Sequence, residues 1–278
     1  MQGAQARMLP DGRRLHLHHG PIDLIVEVSG AGRQAAQQRV VARFETVLQE
    51  LVDQLSELRR SCIGLSPDLG PVARRMVSAV APFEDFITPM AAVAGAVADE
   101  MIAVICGDDR VTKAYVNNGG DVAFHLSPGE SLAAAIPGIG SARIGSDDRA
   151  RGIATSGWRG RSHSLGIADS VTVLARNAAM ADAAATLIAN AVDLPAYPGI
   201  VRHPAHDLDP DSDLGARQVT TDVPVLAAAE KAQALERGLQ VAGKFRNRDL
   251  IEGAWLHLQG AGCGTGALAR IELEMQHA

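Results

Sequence analysis

A polar turn with two adjacent glycines is the first part of this sequence that could contact a ligand. It lies between two strand-like runs and consists of Asn117, Asn118, Gly119, Gly120 and Asp121. Glycine adopts positive φ easily and lets the backbone approach a ligand closely, and Asn and Asp tolerate similar turns. The segment therefore predicts either a ligand-contacting turn or a plain hairpin turn, and the residues alone leave both open.

A second polar group follows a strand-like run that begins at Gly152. It consists of Thr155, Ser156, Gly157, Arg159, Arg161 and His163. Hydroxyl, backbone N–H and guanidinium groups together suit a phosphate or a carboxylate. A histidine beside them can serve as a general base near neutral pH. The segment predicts an anion-binding loop with His163 as a candidate base, and the alternative is a surface loop rich in arginine and serine.

A third feature is a carboxylate and a hydroxyl four residues apart in a helical segment, Asp182 and Thr186. Residues four apart share one helix face, and two such oxygens can hold a hard cation that keeps water or phosphate oxygens as further ligands. The alternative is that Asp182 is a capping or dipole-compensating residue. Because a surface helix position tolerates alanine, we expect Asp182→Ala to leave the fold intact.

The order of these motifs resembles the ApbE superfamily of FAD:protein FMN transferases. That family has a Gly-Gly-Asp turn, an Ala-Thr-Ser-Gly strand end, a His segment, a Val-Thr-Val strand and an Asp-Ala-x-x-Thr helix. This chain keeps the order from Gly119 to Thr186. Upstream, Ala94-Gly-Ala-Val-Ala-Asp99 resembles a degraded Lys-Gly-Tyr-Ala-x-Asp motif of the family. The resemblance covers the region between Met90 and Val192.

The resemblance implies a T-fold-like α+β architecture, in which an antiparallel sheet packs against long helices. It also implies a flavin dinucleotide site and a Mg²⁺ ion held by Asp182 and Thr186 with a backbone carbonyl near Val93. Mg²⁺ there would neutralise the pyrophosphate and polarise the bond to be cleaved. From the resemblance and the anion chemistry together, the cofactor-binding candidates are Asn117, Asn118, Gly119, Gly120, Asp121, Thr155, Ser156, Gly157, Arg159 and Arg161.

The chain also departs from the family pattern. The family's His-Ile-x-Asp-Pro-x-Thr-Gly segment is missing, and His163-Ser-Leu-Gly-Ile-Ala-Asp169 stands in its place, which makes His163 and Asp169 the catalytic candidates. The family's lysine position holds Ala94. The sequence looks like a smaller branch of ApbE-like proteins with a Pro-Asp-Ser-Asp-Leu-Gly signature, present here from Pro210 to Gly215.

Three functions fit these residues. The first is a Mg²⁺-dependent enzyme that acts on FAD or a related phosphorylated cofactor by FMN or nucleotide transfer. The second is a hydrolase or cofactor-biosynthesis enzyme of changed specificity on the same scaffold, with His163 as base. The third is a non-catalytic flavin- or nucleotide-binding protein. Retention of Asp182 and Thr186 favours a metal-using protein, whereas the missing segment favours changed chemistry over authentic FMN transfer.

The bulk composition excludes several classes of protein. The length of 278 residues suits a single domain over residues 1–278, or two intimate subdomains. A formal net charge of -6 argues against a nucleic-acid binder, which usually has a basic face. No apolar run is long enough for a membrane span. Three cysteines without a CxxC pair favour a reducing compartment. We therefore expect a cytoplasmic protein with a small-molecule or flavin substrate, and a homo-oligomer is compatible with all of this.

The hydrophobic periodicity predicts the elements that must position the polar groups. Helical spacing covers residues 33–60, 90–106, 178–192 and 225–242, and Gly243 is placed to end the last helix. Short strand-like runs at 114–116, 122–126, 131–136, 142–145, 152–155 and 170–175 predict one antiparallel sheet. Residues 195–215 predict a loop and the glycine-rich residues 260–266 a mobile turn. Since strands and helices do not alternate, the expected fold class is α+β.

Overall fold

The computed structural model describes residues 3–61, 68–107 and 110–269. The strands are β1 (Gln5–Met8), β2 (Arg14–His19), β3 (Ile22–Ser29), β4 (Lys113–Asn118), β5 (Asp121–Leu126), β6 (Ser131–Ile136), β7 (Gly140–Gly145), β8 (Gly152–Ser156), β9 (Ser170–Ala175), β10 (Val201–Pro204), β11 (Gln218–Asp222), β12 (Gly253–Leu258) and β13 (Ala261–Gly266). The helices are α1 (Arg33–Asp53), α2 (Leu55–Leu58), α3 (Pro71–Val80), α4 (Val93–Ile105), α5 (Ala178–Ala191), α6 (Ala205–Leu208) and α7 (Ala228–Asn247), with a 3₁₀ turn at Pro89–Ala92.

The contacts within the chain divide it into two compact units. Unit 1 consists of Met1–Leu132, Arg143–Ala154 and Arg176–Ala183. Unit 2 consists of Ala133–Ala142, Thr155–Ala175 and Ala184–Ala278. Each unit draws on segments that are distant in the sequence.

The strands of unit 1 follow one another as antiparallel neighbours from β1 to β5, and β8 pairs antiparallel with β5. Side chains along β2 and β3 alternate between buried and more exposed positions, which is the period-two pattern of a sheet with one covered face. The buried set on these two strands is Leu15, Leu17, Ile22, Leu24, Val26 and Val28. The predicted antiparallel pairing is confirmed in this unit.

Helix α1 packs on β2 and β3, as its Val/Leu spacing predicts, and also contacts α4. Its buried face consists of Ala36, Val40, Phe44, Val47 and Leu51. The predicted end of this helix at residue 60 was wrong, because α1 stops at Asp53 and a separate short helix follows. The Gln54 side chain explains the break: its amide donates to the Asp68 carbonyl at 2.9 Å and its oxygen accepts the Gly70 N–H at 3.1 Å.

In unit 2, β12 lies between β9 and β13, and both pairings are antiparallel. Helix α7 packs on β12 and β13. It continues past Gly243 to Asn247, so the predicted end at Gly243 was wrong. The chain leaves the helix at Asp249 instead, which adopts the left-handed conformation with φ 56°.

Three further predictions about local structure were wrong. Within residues 260–266, Ala261–Gly266 form strand β13 rather than a mobile turn, and residues 195–215 contain β10 and α6 rather than only a loop. Strands β6 and β7 do not join the main sheet but form a separate two-stranded sheet. They are joined by the short turn at residues 137–139, and direct hairpin pairing is the simplest arrangement for strands so connected.

Within the described residues, no helix combines the length and the apolar character needed to cross a membrane.

Candidate functional site

The amino end of α5 is held by a buried carboxylate of α4. Asp99 accepts the N–H groups of Ala178 at 2.9 Å and Ala179 at 2.8 Å, one on each carboxylate oxygen. The next N–H, from Met180, is accepted by the side-chain oxygen of Asn177 at 2.8 Å. These are the N–H groups that a helix start leaves without an intrahelical acceptor. Asp99 and Asn177 therefore fix both the start and the direction of the helix that carries Asp182.

Asp182 on α5 in turn accepts a backbone N–H group at the start of α4. Its Oδ2 accepts the Gly95 N–H at 3.1 Å, in the first turn of α4. The Asn118 amide donates to the Ala94 carbonyl at 3.1 Å, one residue away. The Asn117–Asp121 turn, the start of α4 and the start of α5 thus meet in one corner of unit 1, which we call the unit 1 corner. The sequence connects these three segments only through the family resemblance, and in the structure hydrogen bonds join them.

The close approach of α4 to α5 depends on Gly95. A Cβ on this residue would lie 2.3 Å from the Ala178 carbonyl oxygen. No side chain fits at that distance, so only glycine at this position allows the two helices to approach each other this closely.

Burial and like charge shape the electrostatics of the unit 1 corner. Burial raises the pKa of Asp182 well above its ordinary value, the Asp121 carboxylate raises it further, and the Gly95 and Ala94 N–H groups partly offset the rise. Burial also raises the pKa of Asp99 to about 6, against the lowering effect of the Ala178 and Ala179 N–H groups. Asp182 is half-buried. It is therefore not the freely substitutable surface position expected from the sequence, because its carboxylate caps a neighbouring helix.

The Asn117–Asp121 turn joins β4 to β5, with Asn118 paired to Asp121. Gly119 and Gly120 are exposed and have φ of 67° and 118°, a conformation that favours glycine. The Gly120 N–H donates to the Asn117 side-chain oxygen at 2.8 Å. The turn therefore presents bare backbone to its surroundings, which fits both a hairpin turn and a ligand-contacting one.

Unit 2 holds the second predicted group. The Thr155 and Thr172 hydroxyls lie 2.9 Å apart, and Thr155 is exposed. Ser156 is half-buried and Gly157 is buried against the Asp169 carbonyl, where a Cβ would lie 2.5 Å from that oxygen. Arg161 and His163 are exposed on the following loop. The structure keeps the hydroxyl pair at the strand end and leaves the loop side chains at the surface.

Asp169, a catalytic candidate, is held by two contacts in unit 2. Its Oδ1 accepts Arg159 Nε at 2.9 Å, and its Oδ2 accepts the Gln259 N–H at 2.6 Å. The Arg159 guanidinium also lies 4.7 Å from the centre of the Trp158 ring. His257 Nδ1 lies 3.9 Å from Asp169 Oδ2. Asp169 thus connects the start of β9 to the end of β12 and faces a histidine.

Among the described residues, no group of three or more His, Cys, Asp or Glu side chains is arranged to hold a metal ion. The metal prediction needs no such group, because Mg²⁺ is commonly bound by one or two carboxylates together with substrate phosphates. Thr186 lies one helical turn after Asp182 on α5 and is half-buried. The Asp182–Thr186 metal site stays a prediction.

The sequence predicts a strand at Trp255–Leu258, which β12 confirms, but Trp255 and His257 were not among the predicted site residues. They are two residues apart on a strand, so both side chains point to the same face. That alternation was the available signal, and it was overlooked because the segment contains no known motif.

The model of the family described as AbpE bacteria matches residues 6–267. This chain is a member of that family. A UPF0280 protein of Methanothrix thermoacetophila is 33% identical over 190 residues, which cover 63% of this chain and 75% of the relative. UPF0280 proteins of Archaeoglobus fulgidus (38% identical, 38% of this chain) and Methanopyrus kandleri (40% identical, 43% of this chain) match over 45% and 48% of their own lengths. The chain therefore matches about half the length of these two relatives.

This member of the family also resembles solved structures, two of which follow. The ApbE protein of Thermotoga maritima superposes with a TM-score of 0.56 at 12% identity, over 96% of this chain and 99% of that one. The apo form of the flavinyl transferase ApbE from Pseudomonas stutzeri gives 0.54 at 13% identity, over 98% and 99%. At these identities the likeness establishes the fold, and it confirms the predicted α+β class with an antiparallel sheet.

Proposed function

We propose that this AbpE-family protein is an enzyme that binds FAD, or a related phosphorylated cofactor, together with Mg²⁺ and transfers an FMN or nucleotide group. Family membership and a fold shared with a flavinyl transferase support the general class. The observation that carries the proposal is the unit 1 corner. There the Asp182 carboxylate and the Asn118 amide bind adjacent backbone groups, the Gly95 N–H and the Ala94 carbonyl.

The donor set of the unit 1 corner suits a hard cation. The Asp121 and Asp182 carboxylates are close enough for Asp121 to raise the pKa of Asp182. A divalent cation between two such carboxylates would relieve this repulsion, and oxygen is the ligand type that Mg²⁺ prefers. In the proposal, Asp182 and Thr186 hold the ion, with Asp121 nearby and phosphate oxygens completing the coordination. When bound, Mg²⁺ supplies charge neutralisation and polarisation of the phosphate bond.

The protein's own groups then have separate tasks. The exposed backbone of Gly119 and Gly120 gives a phosphate room to approach closely. Asp99 and Asn177 keep α5 in place, so the Asp182 carboxylate does not have to reorganise on binding. We assign proton transfer to His163, which is exposed on its loop. We assign to Asp169 the orientation of the groups it contacts, Arg159 and Gln259.

A thermal-shift titration tests the proposal. The purified protein is heated with FAD, with Mg²⁺, and with both, and ADP with Mg²⁺ serves as the comparison. We expect FAD and Mg²⁺ together to raise the Tm more than either alone, because a ligand that binds only the folded state stabilises it, by about 2.7 kcal/mol at a hundredfold excess over Kd. No shift with FAD under any condition would overturn the proposal. A shift with another phosphorylated or carboxylated compound would then favour the changed-specificity enzyme.

A further inference from the structure

The Trp255 indole of unit 2 has a buried donor without an acceptor. Trp255 is 3% exposed, and its Nε1 has no hydrogen-bond partner within the part of the chain that the structure describes. Buried donors are nearly always paired in folded proteins, and an exception calls for an explanation in terms of function or an additional ligand. An indole N–H can only donate, so the missing group is an acceptor such as a carbonyl oxygen.

The ring is held firmly on the β13 side. A Cβ on Gly262 would lie 2.5 Å from Trp255 Cζ2, and a Cβ on Gly264 would lie 2.9 Å from Cε3. Only glycine leaves room for the indole at both positions. The ring therefore cannot turn to find an acceptor without moving the strand, and the direction of its N–H is fixed by the fold.

The turn at residues 137–139, between β6 and β7, covers the indole nitrogen. Gly138 has φ 90°, and a Cβ there would lie 3.1 Å from Trp255 Nε1 and 2.9 Å from His257 Cδ2. Both rings thus lie close to Gly138, a residue without a side chain. Gly138 covers the Trp255 N–H but gives it no hydrogen bond.

His257 completes a pair of recognition groups. Its side chain is 25% exposed, and its Nδ1 faces the Asp169 carboxylate at 3.9 Å. The Gln259 N–H holds that carboxylate in place. Trp255 therefore offers an N–H donor beside an imidazole, and the chemistry that matches this pair is a carbonyl oxygen next to a ring N–H on a flat heterocycle.

We propose that the 137–139 turn is a movable cover, and that under it Trp255 and His257 bind the polar edge of a planar heterocycle with a carbonyl beside a ring N–H. The pyrimidine edge of a flavin has this arrangement, and the choice of flavin as the heterocycle rests on the proposed function. The turn leaves the indole when the ring enters, and the Trp255 N–H gains its acceptor. A metal ion does not fit, because the indole N–H is not a ligand.

The indole N–H itself reports on this step. The chain has two tryptophans, so ¹⁵N labelling gives two indole resonances, and Trp158→Phe assigns the one from Trp255. We expect riboflavin to shift the Trp255 N–H resonance and ADP, which lacks the flavin ring, to leave it in place. Trp255→Phe keeps an aromatic side chain but removes the N–H donor, and should weaken riboflavin binding about five- to tenfold, the usual value of one hydrogen bond.

Gly138 tests the cover with a matched control. In Gly138→Ala the new Cβ contacts the Trp255 and His257 rings only when the 137–139 turn lies over them. The fraction of molecules in which the turn has moved away therefore rises, and riboflavin should bind more tightly than to the wild type. Gly129→Ala is the control, because Gly129 also has a positive φ, 85°, but has nothing within 4 Å of the added Cβ. Its riboflavin affinity should not change.

The outcomes separate this inference from the proposed function. If FAD with Mg²⁺ stabilises the protein but the Trp255 resonance does not move and Trp255→Phe binds riboflavin normally, the cover proposal is wrong and the proposed function stands. If riboflavin shifts the Trp255 resonance but FAD with Mg²⁺ gives no stabilisation, the proposed function is wrong and the cover proposal stands. If neither flavin binds, both are overturned.

Discussion

Asp99 and Asp182 each cap the helix that carries the other. Asp99 on α4 accepts two N–H groups at the start of α5, and Asp182 on α5 accepts the Gly95 N–H at the start of α4. Neither cap lies next to its helix in the sequence, and Ala92, the residue before α4, has no side chain that could accept a hydrogen bond. The reciprocal arrangement explains why a four-residue spacing occurs in both segments, from Gly95 to Asp99 and from Ala178 to Asp182.

Asp99→Asn should change how stability depends on pH. The pKa of Asp99 is about 6 in the folded protein and 3.8 ordinarily. Between these pH values the unfolded chain releases the proton while the folded protein retains it, so the wild type loses stability as the pH rises, and the loss is complete above pH 6. Relative to Asp99→Asn, the wild type should lose about 3 kcal/mol of unfolding free energy between pH 4 and pH 7. Urea unfolding of both proteins at several pH values measures this, and parallel curves would contradict it.

Asp182→Ala and Thr186→Val should separate capping from metal binding. Asp182→Ala leaves the Gly95 N–H without its acceptor and should lower the unfolding free energy by about 1 kcal/mol, as the loss of a helix cap does. Thr186→Val removes one hydroxyl at nearly constant volume and leaves the cap intact. We expect both variants to lose the extra thermal shift that Mg²⁺ adds to FAD. Thr46→Val on α1 is the control and should keep the extra thermal shift that Mg²⁺ adds to FAD. If Thr186→Val also keeps this shift, Thr186 is not a metal ligand.

Gly95→Ala should be strongly destabilising although alanine is the better helix former. The added Cβ would lie 2.3 Å from the Ala178 carbonyl oxygen, so α4 and α5 would have to separate at the unit 1 corner. We expect a loss of about 3 kcal/mol or more, at the upper end of overpacking effects. Gly243→Ala is the control: it lies within α7 with open space around it, and should stabilise by roughly 0.5–1 kcal/mol. Thermal or urea unfolding compares them, and similar effects at both sites would disprove the close contact.

Asp169 and His163 should differ in what they contribute. Asp169→Ala leaves the half-buried Gln259 N–H without its acceptor and should cost about 1 kcal/mol of unfolding free energy. Arg159→Ala removes an exposed partner of the same carboxylate and should cost under about 1 kcal/mol. His163→Ala should leave the unfolding curve unchanged and lower turnover in an FMN-transfer assay. If His163→Ala keeps full turnover, His163 is not the base.

The sequence predicted the elements better than their connections. Helix α5 was found nearly to the residue, because most residues from Ala178 to Ala191 are alanine, a strong helix former. The end of α1 was missed, because it depends on Gln54 bonding to residues 68 and 70, which are distant in the sequence. Strand β13 was missed, because its glycines look like a turn until Trp255 is seen to fill the space beside them.

In the candidate site, too, the sequence predicted residues but not the long-range contacts between them. Spacing predicted that Asp182 is important, and the family resemblance placed it with the Gly-Gly turn. The Asp182–Gly95 bond itself could not be predicted from spacing, because it joins residues 87 apart in the sequence. The Trp255–Gly138 contact was equally hidden, since it depends on how a hairpin tip meets a strand more than a hundred residues later.

The two sets of strands also differ in when they can form. Strands β1 to β5 pair with their neighbours in the sequence, apart from the helices between β3 and β4. Strand β9 lies between β8 and β12 in the sheet, and its pairing with β12 has to wait for a segment roughly eighty residues later. Pairing over such a distance is slow because the chain must first close a long loop. While the protein is being made, the edge of β9 that faces β12 therefore stays unpaired until β12 has been synthesised, although all six residues of β9 are buried in the folded protein, and in this interval the chain is exposed to aggregation.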